Sequence, residues 1–300
     1  MPPIRFYNYN NYLSMKKINY LPQFNSFGIK VEALKTNFSI PLVAFSYTDY
    51  LSLGYELPES DAPIVGVIFP KKQDYYLVDA DYLKALALTG VKILFLDYEH
   101  YPLQIKLCDA LMIAGDSIKM PERYYTDAKN GNKDADDQTD AYIKCYKVAL
   151  KYGKPILGIC AGMQIIAAEA GLKLFRSQKY FESPYSHKTD KLKAHHIDLV
   201  KGSPFCELMD GQWRLPVNSR HDAALAPIRV QREILNTKKL PLDFYAFATD
   251  GIPEAIGKME KGVLGVQWHP ENYVAEGDKT QQHIFEWLAK KAYEYHRKTC

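Results

Sequence analysis

The stretch 155-PILGICAGMQIIAAEAG-171 decides how this chain folds. An apolar run of strand length, 155–159, ends at a cysteine boxed by two glycines. A segment with helical apolar spacing, 161–170, follows with no loop between. A strand that turns at once into a helix needs a tight corner, and Gly158 and Gly162 suit a corner where a Cβ would clash. Cys160 is then either a small core residue beside the turn or a sulfur held out toward a substrate. This stretch alone leaves the two readings even, and three physical features describe what the second would need. Such a turn exposes the residue at its apex, a helix N-terminus favours the thiolate of a cysteine placed there, and the N–H of Ala161 points where an oxyanion would form.

Outward from this corner, apolar runs of strand length stand at 63-PIVGVIF-69, 91-VKILFL-96 and 110-ALMIA-114. Between the first two, Leu77, Ala80, Leu83, Leu86 and Ala87 predict a helix over 77–89, closed by Gly90. Over 134–152, Tyr142, Cys145, Tyr146, Ala149 and Tyr152 share one helical face behind an acidic first turn. Strand–helix alternation with continuous apolar strands predicts an α/β fold around a mostly parallel sheet buried on both faces. Sites in such sheets lie at the carboxyl ends of strands, where Cys160 and the 114-AGDS-117 turn both fall. The C-terminal half is β-rich. Segments 195-HHIDLV-200, 228-IRVQR-232, 243-DFYAFAT-249, 254-EAIGKM-259 and 263-VLGVQWH-269 are expected to extend the sheet as antiparallel strands. A last helix is expected near 279–296, with Ile284, Trp287, Leu288 and Tyr295 on one face.

Composition narrows the function classes. The 300 residues carry a net charge of +3 and no dense Lys/Arg cluster, which argues against a nucleic-acid partner. No apolar run reaches membrane-span length. The first residues, MPPIRFYNYNNYLSMKK, lack the apolar core of a signal peptide, so a soluble, cytoplasmic protein is expected. The five cysteines are widely spaced with no CxxC pair, and read as reduced thiols rather than a disulfide framework or zinc site. Residues 1–60 hold seven Tyr and six Asn and form an expected N-terminal extension to a catalytic domain over 61–300. It reads first as a partly ordered extension, with a lid or interface arm as the alternative, and at least part of it should pack on the domain, since tyrosines are costly to leave in water; the piece 40-IPLVAF-45 has strand character.

A thiol nucleophile needs a base, and the base needs an orienting group. The segment 265-GVQWHPE-271 offers both: His269 at the end of an apolar run, Pro270 stopping the ladder, and Glu271 two residues on, on the same side as His269 if the chain stays extended. In 113-IAGDSIKMPERYY-125, Gly115 follows a strand and could bring its own N–H, or that of Asp116, to an oxyanion. The polar knot Asn218, Ser219 and His221 in 217-VNSRHDAAL-225 fits a substrate-side loop and a structural hydrogen-bonded turn equally well. The pair His195-His196 should point one ring inward and one outward, and carries no assigned role.

GICAGMQ followed about a hundred residues later by GVQWHPE resembles the class I glutamine amidotransferase superfamily. Within it, the chain is most similar to the stand-alone γ-glutamyl hydrolases of peptidase family C26, the group that contains γ-glutamyl-γ-aminobutyrate hydrolase. PIVGVIF, the GDSIKMPERYY loop and VNSRH carry the narrower resemblance, which covers roughly residues 62–295. It implies a flavodoxin-like three-layer α/β sandwich and hydrolysis of γ-glutamyl amides through a thioester. Carried over, Cys160 is the nucleophile, His269 the base and then acid, and Glu271 the orienter. The N–H groups of Gly115 or Asp116 and of Ala161 form the oxyanion hole, and Gln164, Asn218, Ser219 and His221 are the candidate substrate contacts. No metal or organic cofactor is implied. The sequence departs from many relatives at Ala161, at Asp222 and Ala223 after VNSRH, and in having one glycine in the 115 loop.

The expected partner is therefore a small γ-glutamyl substrate, with a homodimer as a further expectation. Two other readings stand beside it: a glutaminase component that passes ammonia to a synthase partner, and a non-catalytic binding protein that retains the fold. A transferase using an amine in place of water is compatible with the same residues.

Overall fold

Strands and helices alternate from residue 64 onward, and the order of the strands in space follows from that alternation. The computed structural model describes residues 61–72, 75–98, 100–116, 118–127, 133–176, 187–189 and 191–299. It also describes the backbone of three short strands, Ile4–Tyr7, Lys17–Ile18 and Val43–Ala44. The expected extension over 1–60 otherwise lies outside the described residues.

The main sheet contains β1 (Val43–Ala44), β2 (Ile64–Ile68), β3 (Lys92–Leu96), β4 (Ala110–Ile113) and β5 (Ile156–Ile159). It continues with β6 (His195–Leu199), β7 (Arg214–Val217), β8 (Asp243–Ala248), β9 (Pro253–Lys258) and β10 (Val263–Val266). Their spatial order is β7-β6-β8-β9-β10-β5-β4-β2-β3-β1. Five neighbours, β10, β5, β4, β2 and β3, run parallel. Strands β9, β8, β6 and β7 extend this core by antiparallel pairs, and β1 caps the other edge against β3. The mostly parallel, two-faced sheet and the β-rich second half are as the sequence predicts.

Two apolar layers cover the sheet, and the period of two along each strand sorts residues between them. Val65, Val67, Ala110, Met112, Leu157, Ile159, Leu264 and Val266 face one core with Leu83, Leu86, Trp268, Ile284 and Leu288. Ile68, Leu111, Ile113, Ile156 and Val263 face the other with Ile105, Tyr142, Cys145, Met163 and Ile166. The helices supplying these layers are α1 (Ala80–Ala87), α2 (Tyr101–Leu107), α3 (Asp137–Lys151), α4 (Ala161–Glu169), α5 (Pro270–Ala275) and α6 (Lys279–Thr299). Helix on both sides of a parallel sheet is the flavodoxin-like sandwich.

Local differences from expectation have local causes. Helix α1 begins at Ala80, because 75–79 forms a short strand. The segment at 228 is not a strand but a helix, Ile228–Ile234, entered from Pro227. Its buried Gln231 donates to the carbonyls of Lys173 and Ala226 and accepts from the Lys173 N–H, so a polar residue tethers the helix where an apolar pattern was sought. Helix α3 starts at the Asp136 cap, whose carboxylate accepts the Thr139 N–H at 2.8 Å. Tyr142, Cys145, Tyr146 and Ala149 are buried there, whereas Tyr152 is the exposed C-cap.

Leu157 lies in the centre of the sheet and is fully buried. Leu157→Ala should cost about 2–5 kcal/mol, read as a lower urea midpoint with an unchanged slope.

Candidate active site

Cys160 sits between β5 and α4 with φ 53° and ψ −103°. That conformation is rarely adopted by a residue with a Cβ, and costs of order 1–3 kcal/mol. The flanking glycines hold it there by space. A Cβ on Gly158 would stand 2.5 Å from the backbone carbon of Gly162. A Cβ on Gly162 would stand 3.0 Å from the Ile113 Cβ and closer still to its carbonyl oxygen. The Cys160 N–H donates to the Val266 carbonyl at 2.8 Å, so the corner is tied to β10. The first N–H groups of a helix have no partner within it, and that of Ala161 opens α4 beside the sulfur.

The 265–271 segment meets this corner by a route the sequence did not suggest. Strand β10 ends at Val266, and His269 is the N-cap of α5 rather than a strand residue. Glu271 stands in the first turn of α5, so its approach to His269 comes from helical and not extended geometry. Its Oε1 lies 2.6 Å from Nδ1 of His269, which leaves Nε2 for the thiol. Asn218 pins the backbone of His269, accepting its N–H at 2.8 Å and donating to its carbonyl at 2.9 Å. Burial of the ring pulls against the charged form. The Glu271 carboxylate, the hydrogen bond from the Cys160 side and the Cys160 charge outweigh it, and hold the imidazolium up to a pKa of about 10. A thiol, an imidazole and a buried carboxylate in this relation can carry out nucleophilic acyl chemistry with proton transfer.

Gly115 lies in the same place. A Cβ there would stand 2.5 Å from Cε1 of His269 and 3.2 Å from the Cβ of Cys160. Its N–H donates to the Tyr82 hydroxyl at 2.9 Å, and that oxygen is 3.2 Å from Nδ1 of His269. Tyr82 therefore touches both a candidate oxyanion donor and the candidate base. The apolar spacing of helix 77–89 does not single it out; a tyrosine beside that stripe is the signal the sequence offers. Asp116 is half-buried, and its carboxylate accepts a hydrogen bond from Gln138.

The four candidate substrate contacts have partners inside the protein. Gln164 donates to the Ala223 carbonyl at 2.7 Å and to Gln267 at 3.3 Å. Gln267 in turn lies 3.6 Å from the Cys160 sulfur. Ser219 donates to the His187 carbonyl, and the ring nitrogens of His221 face the Ala223 carbonyl and Glu254. Asn272, next to Glu271, donates to Asp81 on α1 at 3.0 Å, and burial pushes the Asp81 carboxyl up. His195 is buried and His196 exposed, as strand alternation requires.

The cysteine elbow, the histidine and the glutamate thus meet where parallel strands end in an α/β sandwich. A sequence model of the Peptidase C26 family matches residues 63–271, and the chain belongs to that family. The glutamine amidotransferase-like protein YvdE of Lactococcus lactis is 28% identical over 62% of this chain and 75% of its own. A glutamine-hydrolyzing GMP synthase subunit of Methanospirillum hungatei is 29% identical over 45% of this chain and 61% of its own. Among solved structures, the glutaminase domain of Trypanosoma brucei CTPS with bound acivicin shares the fold with a TM-score of 0.54. It is 13% identical, over 77% of this chain and 94% of that one. No helix among the described residues is long and apolar enough to cross a membrane.

The crowding at Gly115 and the raised imidazole can each be tested. Gly115→Ala should slow alkylation of Cys160 by iodoacetamide at neutral pH by at least about tenfold while the chain stays folded, because the added methyl displaces the thiol's partner ring. His269 is raised above its usual 6.5. Its pairing therefore stabilises the fold fully below that value, and the contribution falls away as pH rises toward about 10. Urea midpoints of the wild type and His269→Asn should converge over that window.

Proposed function

We propose that this C26 family member hydrolyses γ-glutamyl amide bonds through a thioester on Cys160, with His269 and Glu271 as its proton-handling partners. The observation that carries this reading is the His269 ring, held by Glu271 at 2.6 Å on Nδ1 and packed with Cys160 around Gly115. The Cys160 sulfur attacks the γ-carbonyl carbon. The carbonyl electron pair moves to oxygen, where the N–H of Ala161 and an N–H from Gly115 or Asp116 receive it. Gly115 must exchange its Tyr82 partner to do so. The His269 imidazolium gives its proton to the leaving nitrogen, and the C–N bond breaks. Water then gives a proton to His269 and attacks the thioester, releasing glutamate and the thiol. Asn218 acts by fixing the His269 backbone, and Gln164 through Gln267, whose side chain lies 3.6 Å from the Cys160 sulfur.

The similarity to a component of GMP synthase and to a glutaminase domain supports a second reading, in which glutamine is hydrolysed and ammonia passes to a partner synthase.

The test is incubation with glutamine and a panel of γ-glutamyl amines and peptides, measuring release of glutamate and amine. Turnover of at least one panel member should fall by about 10⁴-fold or more in Cys160→Ala, as for loss of a nucleophile. Absence of turnover and of any trapped acyl-enzyme across the panel would defeat the hydrolase reading. Ammonia release from glutamine only with a partner present would favour the second.

A further inference from the structure

Three histidines converge on one carboxylate beneath the candidate active site. His187, His195 and His221 come from three separate segments, and Glu254 lies on β9; all four are buried, Glu254 completely. Glu254 Oε1 is 3.4 Å from Nε2 of His195, 3.8 Å from Nδ1 of His187 and 3.8 Å from Nε2 of His221. Neither oxygen of Glu254, neither ring nitrogen of His195, nor Nε2 of His221 makes a hydrogen bond. Buried polar atoms left so are rare and costly, and five of them in one cluster need a shared partner.

The spacing says what kind. Charge-assisted N–H···O bonds close to about 2.7–2.9 Å, as His269 and Glu271 do nearby. Two ligands on one tetrahedral zinc, each about 2.0–2.1 Å from it, stand about 3.3 Å apart. The 3.4–3.8 Å separations suit an ion between the groups better than a proton. The far sides of two rings are anchored as metal-binding imidazoles usually are. Nε2 of His187 lies 2.8 Å from the buried Asp250 carboxylate, and Nδ1 of His221 lies 3.1 Å from the Ala223 carbonyl. Each anchor fixes the tautomer and leaves the other nitrogen facing Glu254. Ser219 Oγ lies 3.3 Å from Nδ1 of His187, and its proton goes to the His187 carbonyl at 2.8 Å.

We propose a buried divalent-cation site of the zinc class, with Nδ1 of His187, Nε2 of His221 and the Glu254 carboxylate as its protein ligands. The ligating atoms of the three lie within 4.8 Å of one another. Nitrogen and carboxylate ligands of this kind suit zinc. Its work is to tie the Lys188–Thr189 and Ser219–Arg220 pair to β9. That scaffold bears directly on the active site. Asn218, beside Ser219, holds His269, and the Glu254 carbonyl accepts the N–H of Gln267, whose side chain reaches the Cys160 sulfur.

The experiment uses the full chain, stripped with chelator and dialysed against equimolar Zn²⁺, then Co²⁺. About one zinc per chain is expected, with a higher melting temperature than the stripped protein. The cobalt form should show the visible bands of a tetrahedral site without thiolate charge transfer. Glu254→Gln and His221→Asn should weaken binding by at least about tenfold. His196→Asn, on the exposed neighbour, and Cys160→Ser should retain it. The cobalt spectrum of the wild type keeps the test valid if either ligand variant misfolds. Failure of the wild type to retain zinc, a thiolate band in the cobalt spectrum, or loss of binding in Cys160→Ser with retention in Glu254→Gln would each overturn the proposal.

Discussion

Helix α4 lies against the sheet at a distance only glycine permits. Gly158 on β5 and Gly265 on β10 are register partners. Side chains there would meet the backbone of Gly162 and the stem of Met163. Removing three Cβ atoms lets the first turn of the helix drop onto the strands. Met163, Ile165 and Ile166 are then fully buried, each worth about 1.5–3 kcal/mol. That gain exceeds the 1–3 kcal/mol or so of backbone strain forced on Cys160. The strained cysteine is thus a consequence of packing, and its place, buried beside the neighbouring strand end, follows from where the chain must turn.

The same approach positions the other half of the site. Strand β10 lies parallel to β5, so both chains leave the sheet at the same edge. The Cys160 N–H is bound to Val266, the last residue of β10. His269 follows three residues later and is fixed from two directions. Asn218 satisfies its backbone, and Glu271 satisfies its ring. The buried Glu271 carboxylate lies beside the partly buried ring and favours its charged form. Tyr82 links this pair to the Gly115 loop from α1.

Much of this was legible in the chain. The apolar runs at 63–69, 91–96, 110–114 and 155–159 could only be buried strands, since each is short, continuous and followed by helical spacing or a turn. GICAG named a tight corner, and WHPE supplied the chemistry that a thiol lacks. The misreadings came where local pattern and tertiary partner disagree. IRVQR alternates like a strand, yet Pro227 starts a helix and the buried Gln231 finds its partners on another segment. Glu271 was paired with His269 through an extended geometry that Pro270 replaces with a helical turn.

The sequence by itself determined the layering and singled out the candidate thiol, imidazole and carboxylate, because period, glycine spacing and residue chemistry are local properties. Only the tertiary structure decided which distant groups share an environment. Tyr82 reaches His269 across 187 positions in the chain. His187, His195 and His221, unremarkable in separate segments, surround Glu254 because antiparallel pairing folds those segments over β9. Such contacts depend on chain closure over long separations, which no local pattern encodes.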